Sequence, residues 1–176
     1  MTEYRRAYIP GGSWFFTVNL AERKSNQLLV EKIDLLRNAF EYTKQRYPFR
    51  MDAVVILPDH LHCIWTLPQA DADFSTRWKL LKGYFSRHIA KGEGISTGRK
   101  SRRKSEIWQR RFRKHLLRDQ NDVNRLVDYM HWNSVKHDWA KSASDWPHAS
   151  FHCYAVQGIC PENWGNHEGY DIERLE

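Results

Sequence analysis

Four residues of this chain have types and spacings that suit phosphoryl chemistry: His60, His62, Tyr129 and Asn133. His60 and His62 flank Leu61 inside an apolar run that reads as a β-strand, where side chains alternate between faces. Both imidazoles then point the same way, with Cα atoms about 6.5–7 Å apart, so two ring nitrogens can converge on one divalent ion. Leu61, Cys63 and Trp65 take the opposite face and can bury. The pair follows Pro58-Asp59, near the start of its strand, at a sheet rim open to a substrate. Two surface histidines on a strand give the same pattern, and the residues alone leave both readings open.

Tyr129 and Asn133 are four residues apart on a helix and so lie one turn from each other. Their face carries Asp122 and Arg125 or Lys136 nearby, rather than the apolar stripe of Leu126 and Met130, so the tyrosine is expected to face outward. The amide oxygen of Asn133 is a hard donor of the kind Mg²⁺ and Mn²⁺ accept, which makes it a candidate third ligand. A phenol with a pKa of about 10 needs help to become a nucleophile at neutral pH. A divalent cation gives that help by polarising the scissile phosphate and stabilising charge on its oxygens. Attack by Tyr129 on a phosphodiester would form a phosphotyrosine link and free the other strand end. Because that link keeps the bond energy, a second strand could be joined without ATP, which a water nucleophile would not allow. A half-buried structural tyrosine is the other reading of the same spacing.

The elements that must position these groups follow from periodicity. Residues 13–20 are aromatic and β-branched after Pro10-Gly11-Gly12 and read as a first strand. Residues 30–47 place Ile33, Leu36, Phe40 and Thr43 at helical spacing, and Pro48 stops them. Residues 49–57 and 60–67 are apolar runs joined at Pro58-Asp59 and read as a hairpin of central strands. Residues 73–90 form a second helix along Phe74, Trp78, Leu81, Phe85 and Ile89. Residues 107–118 read as one or two Arg-rich strands. Residues 119–137 form a third helix with Val123, Leu126, Val127, Met130 and Ser134 inward and Asn121 as N-cap. From residue 138 the chain is turn-rich and aromatic. The order β-α-β-β-α-β-α predicts one α+β domain over residues 1–176, with helices on a mostly antiparallel sheet.

The balance of 28 Lys and Arg against 21 Asp and Glu favours a polyanionic partner, although a merely soluble basic protein shares it. Residues 91–105 hold Gly92, Gly94, Gly98 and the run Arg99 to Lys104. They read as a mobile basic loop, either a solvated linker or an arm that contacts phosphates. Cys63, Cys153 and Cys160 fit neither a disulfide framework nor a zinc ribbon, which suits a reducing compartment. The longest aliphatic run, 53–57, cannot span a bilayer, and the N-terminus shows no signal peptide, so a cytoplasmic protein without a membrane partner is expected.

The stretch Ile56-Leu57-Pro58-Asp59-His60-Leu61-His62-Cys63-Ile64-Trp65 resembles the HUH motif of single-tyrosine transposases. Asp128-Tyr129-Met130-His131-Trp132-Asn133-Ser134-Val135-Lys136-His137 resembles their tyrosine helix. The pattern is most similar to the REP-associated tyrosine transposases. Arg5 to Gly12, Trp108-Gln109-Arg110-Arg111-Phe112 and the stretch from Asp145 to His152 also fit that group, in the same order along nearly the whole chain. The resemblance implies a ferredoxin-like (RRM-like) α/β sandwich with the His pair on a central strand. It implies that His60, His62 and Asn133 hold Mg²⁺ or Mn²⁺, that Tyr129 is the nucleophile, and that single-stranded DNA is cut and rejoined at palindromic repeats folded as hairpins. It implies a monomer, whereas insertion-sequence relatives act as dimers and usually carry Gln in place of Asn133. Ser134 stands where Pro is usual, Asp138 where Gly commonly ends the helix, and Arg113 where an aromatic is common.

Candidate DNA contacts are Arg5, Arg6, Arg102, Arg103, Lys104, Arg110, Arg111 and Arg113. Trp14, Trp108 or Trp132 could stack on flipped bases, against the alternative of core packing. Two rivals remain: another HUH endonuclease, such as a relaxase or rolling-circle initiator, and a catalytically weak or inactive repeat-binding protein. Chain length and the lone tyrosine in the helix motif count against the first. The joint presence of His60, His62, Tyr129 and Asn133 counts against the second.

Overall fold

The computed structural model describes residues 9–89 and 107–161. The basic segment 91–105 and five of the candidate DNA contacts, Arg5, Arg6, Arg102, Arg103 and Lys104, lie outside the described residues. Gly11 opens the fold at φ +70°, where a Cβ would come within 3.1 Å of the Gln69 backbone, so the turn into the first strand needs glycine. That strand, β1 (Ser13–Asn19), is aromatic and β-branched and mostly buried.

The expected helix over 30–47 is two pieces, α1 (Leu28–Glu31) and α2 (Ile33–Arg46), broken at Lys32. The break has a tertiary cause. The Leu29 N–H donates to the Pro58 carbonyl at 3.1 Å, which ties the first piece to the turn of the hairpin. Pro48 stops α2 as expected, with Tyr47 held at φ −133°, ψ 86°. The hairpin pairs β2 (Arg50–Ile56) with β3 (His60–Thr66), and Asp52 is the extra residue of a bulge between Met51 and Ala53. The second long helix, α3 (Phe74–His88), is capped by the Asp73 carboxylate, which accepts from the Thr76 N–H at 2.9 Å.

Residues 107–118 supply one short strand, β4 (Arg113–Leu116), and a single bridge from Trp108 to Leu20. The tyrosine helix is α4 (Gln120–Lys136). Its N-cap is Asp119, not Asn121: Asp119 is extended and accepts from the Asp122 N–H at 2.9 Å, whereas Asn121 already lies in the first turn. After a short 3-10 turn (Ala143–Asp145) and α5 (Phe151–Val156), the C-terminal segment lies along the outer edge of β2. There the Ile56 N–H donates to the His148 carbonyl and the Ser150 N–H to that of Val54, both at 2.8 Å, covering an edge otherwise open to pairing.

The four strands form one antiparallel sheet in the order β2-β3-β1-β4, which with the helix order gives the ferredoxin-like sandwich. On one face the main core buries Phe16, Leu61, Trp65, Leu36, Trp78 and Phe85 between the sheet and α2 and α3. On the other face α4 packs Leu126, Val127 and Met130 against Phe15, Ala53, Val55 and Ile64. The His pair belongs to this second face. Among the described residues, no helix is long and apolar enough to cross a membrane.

Candidate active site

β3 lies between β2 and β1, and this central place sets the surroundings of both histidines. His60 pairs with Asn19 of β1, and His62 pairs with Thr17 of β1 and Val55 of β2. Their rings are 5.0 Å apart and nearly perpendicular. At 4% and 3% exposure they are buried, which removes the reading of two surface histidines. In each ring Nδ1 is already engaged. The Thr17 hydroxyl meets His62 Nδ1 at 2.8 Å, and the Asp59 carboxylate meets His60 Nδ1 at 2.6 Å. Arg23 holds the other Asp59 oxygen at 2.6 Å. Each imidazole is thereby fixed through Nδ1 and left with Nε2 for a ligand. Burial pushes the Asp59 carboxyl up, but hydrogen bonds from His60 and Arg23 outweigh it and hold the group at about 2. Burial, then the neighbouring His60 and His137, push His62 well below the usual imidazole range, against a smaller opposing effect of the Asn133 amide. His62 is thus the neutral imidazole that metal binding requires.

Tyr129, Asn133 and His137 follow one another at single turns along α4 and its C-cap. Tyr129 is half-buried, with its ring 5.4 Å from that of His62 and edge-on to Phe15 at 6.3 Å. Asn133 is completely buried, and His137 lies 5.3 Å from His60, ring to ring. The expected outward orientation of Tyr129 and Asn133 is therefore wrong. The buried arc of α4 runs from Leu126 and Val127 through Met130 to Asn133 and Ser134, wide enough to turn the row at its margin toward the histidines.

His62 Nε2 and both amide atoms of Asn133 are buried without a hydrogen-bond partner. The Asn133 amide approaches His62 closely enough to influence it, yet makes no hydrogen bond of acceptable geometry. Two imidazole nitrogens and an amide oxygen with unused lone pairs suit a divalent cation. Among the described residues, no three His, Cys, Asp or Glu side chains are placed to hold a metal together, so His137 does not complete such a set and the amide is the available third donor.

The two histidines border a cleft of about 880 Å³ whose lining also includes Tyr129, His137, Arg23, Arg111 and Arg113, while Asn133 is buried behind them. A REP-associated tyrosine transposase of Escherichia coli K12 is 46% identical to this chain over 164 residues, which are 93% of this chain and 91% of that protein. The chain belongs to the REP-associated tyrosine transposase family. A Haemophilus influenzae protein, described provisionally under the same family name, is 38% identical over 98% of both chains. A solved structure of a REP-associated tyrosine transposase bound to a REP hairpin is 43% identical and superposes with a TM-score of 0.79, covering 98% of this chain and 93% of that one. No family model matches the chain.

In this REP-associated tyrosine transposase fold the site residues expected from sequence are sorted by place. His60, His62, Asn133 and Tyr129 come together. Arg111 and Arg113 line the cleft, while Arg110 is exposed outside its lining. Trp14 and Trp108 are core residues, and Trp132 is half-buried away from the cleft. Sequence reasoning missed Thr17, Arg23, Asp59 and His137. Asp59 and His137 had a local signal, being adjacent to His60 and two turns beyond Tyr129. Thr17 and Arg23 had none, because their roles depend on the packing of distant segments.

Proposed function

We propose that this family member is a metal-dependent single-strand DNA endonuclease and strand transferase that acts at palindromic repeat hairpins through a covalent phosphotyrosine intermediate. The observation that supports this most is the meeting of Tyr129 with His60 and His62 at a basic cleft, with the unpartnered Asn133 amide buried beside His62. His60, His62 and Asn133 would hold Mg²⁺ or Mn²⁺, which when bound neutralises charge on the scissile phosphate oxygens. Arg111 and Arg113 position the strand through its phosphates. Phe15 braces the Tyr129 ring, and Lys136 places its ammonium 5.6 Å over that ring, so the phenol is presented in a narrow range of orientations. The Tyr129 Oη attacks phosphorus, the Oη–P bond forms, and the bond to the leaving oxygen breaks to give a free hydroxyl end. A hydroxyl of a second strand end reverses the step, forming the new phosphodiester and restoring the phenol. Nucleophile and histidines belong to one chain and already meet, so a monomer suffices. The hairpin bound in the solved relative supports a folded repeat as partner.

The test is incubation with Mn²⁺ and an end-labelled hairpin oligonucleotide bearing a single-stranded flank, followed by a denaturing gel. A slow band of protein-linked DNA in the wild type and its complete loss in Tyr129→Phe are expected. Tight binding without any covalent species, in Mg²⁺ and Mn²⁺ alike, would mean a repeat-binding protein instead.

A further inference from the structure

We propose that Asn19 and Gln109 form a reader of one unpaired base next to the scissile phosphate. The inference rests on DNA occupying the cleft, as proposed above. Asn19 ends β1, directly opposite His60 in the strand register and two residues from Thr17, and it lines the cleft with Gln109 and Arg111. Gln109 comes from the irregular segment between Trp108 and β4, yet its backbone is fixed at both polar groups. Its N–H donates to the Asn19 carbonyl at 3.0 Å, and its own carbonyl accepts from the Lys82 ammonium at 2.9 Å. Lys82 in turn lies 5.3 Å over the Phe112 ring. This is a residue with no slack in its main chain and a side chain that packs into no core. A fixed frame of this kind is what selective recognition requires.

The two amides touch only weakly, Asn19 Nδ2 donating to Gln109 Oε1 at 3.5 Å. Among the described residues most of their hydrogen-bonding capacity is therefore unspent, and whichever way the amides are turned they show donors and an acceptor side by side. Neutral amides contribute nothing to phosphate neutralisation, which Arg111 and Arg113 supply in the same cleft. Their chemistry matches a base edge, where Asn and Gln pair in a bidentate manner. In a single strand those edges are free. A wrong base would leave a half-buried amide unpaired, which is how such a site rejects it.

The experiment measures binding selectivity, not cleavage. Fluorescein-labelled hairpins with a short single-stranded flank, varied to all four bases at each flank position, are titrated by anisotropy with the Tyr129→Phe protein in Mn²⁺. One flank position should show affinities spread about ten-fold, as expected for one good bidentate contact. Adding Gln109→Ala should shrink that spread to about two-fold with the other positions unchanged. Gln109→Glu, which exchanges donors for acceptors, should reorder the preference, a change that misfolding cannot produce. The idea is overturned by an unaltered order and spread in Gln109→Ala, by equal weakening for all four bases, or by the absence of base preference at any flank position. Failure to see a covalent adduct in the wild type would sink the nuclease reading and leave the base selectivity of the cleft standing.

Discussion

β3 sends Leu61, Cys63 and Trp65 to one face of the sheet and His60, His62 and Ile64 to the other, and the two faces meet burial differently. Toward α2 and α3, Trp65 is sandwiched between Phe49 and Trp78 with ring centroids 4.2 Å away on both sides. Atoms without partners occur there too, but they are the indole N–H groups of Trp14, Trp65, Trp78 and Trp108, which are donors only and offer no lone pair to a cation. Toward α4 the unpartnered atoms among the described residues include the Ser134 hydroxyl and, side by side, His62 Nε2 and the Asn133 amide, whose nitrogen and oxygen lone pairs suit a cation. Leaving such groups buried and unpaired costs about 1–3 kcal/mol each, which a ligand binding there would offset. The two-residue period of a strand thus lets one segment serve the core with one set of side chains and the proposed metal site with the other. The difference lies less in how much is buried than in which atoms are left waiting.

Trp65→Ala offers the strongest challenge to that contrast. Loss of a fully buried indole between two rings should cost about 3–5 kcal/mol, read from urea unfolding. A loss below about 1 kcal/mol would show that the α2/α3 face is not where stability is concentrated. Asn133→Leu probes the other face and should go in the opposite direction. The side chains share their branching, so an unpaired amide is exchanged for methyl groups, and stability should rise by about 1 kcal/mol. Mn²⁺ affinity, followed by calorimetry, should fall by at least about ten-fold in the same variant. Destabilisation by Asn133→Leu would mean that the amide is satisfied in the folded protein and that the faces do not differ in this way.

Elements with a strong period were legible in the sequence: the hairpin of β2 and β3, the stripe of α3 and the length of α4 all lie within a few residues of their expected limits. What escaped was set by contacts between distant segments. The break at Lys32 follows from Leu29 bonding to Pro58, and which of the one or two strands expected over 107–118 would form was settled farther off, with Lys82 holding the Gln109 carbonyl and β4 pairing with β1. The His pair and the amide four residues beyond the tyrosine were legible as types and spacings. That Thr17 would fix His62, or that Arg23 would fix Asp59, depends on which residues the strand register and loop packing bring opposite each other. The inward turn of Tyr129 was hidden for a related reason. Charged neighbours suggested an exposed face, while the helix lies close enough to the sheet to bury its margin as well.

Asp138 gives the smallest and most local test. By the resemblance drawn from the sequence, glycine commonly ends this helix where the chain carries Asp138. The structure keeps the boundary: Asp138 adopts φ +58°, its N–H donates to the Val135 carbonyl at 3.0 Å, and the Trp139 N–H donates to that of Ser134 at 2.9 Å. This is the paired-bond ending that usually recruits glycine, here accomplished by a residue with a Cβ in the left-handed region. Asp138→Gly should therefore raise stability by about 0.5 kcal/mol, since relief of the Cβ clash exceeds the extra freedom gained by the unfolded chain. The measurement is the urea midpoint at constant m-value, which separates a change in stability from one in compactness. A lowered midpoint would mean that the Asp138 side chain contributes more than its conformation costs. The helix end beside His137 would then be held by a contact of the site face, and not by backbone geometry alone.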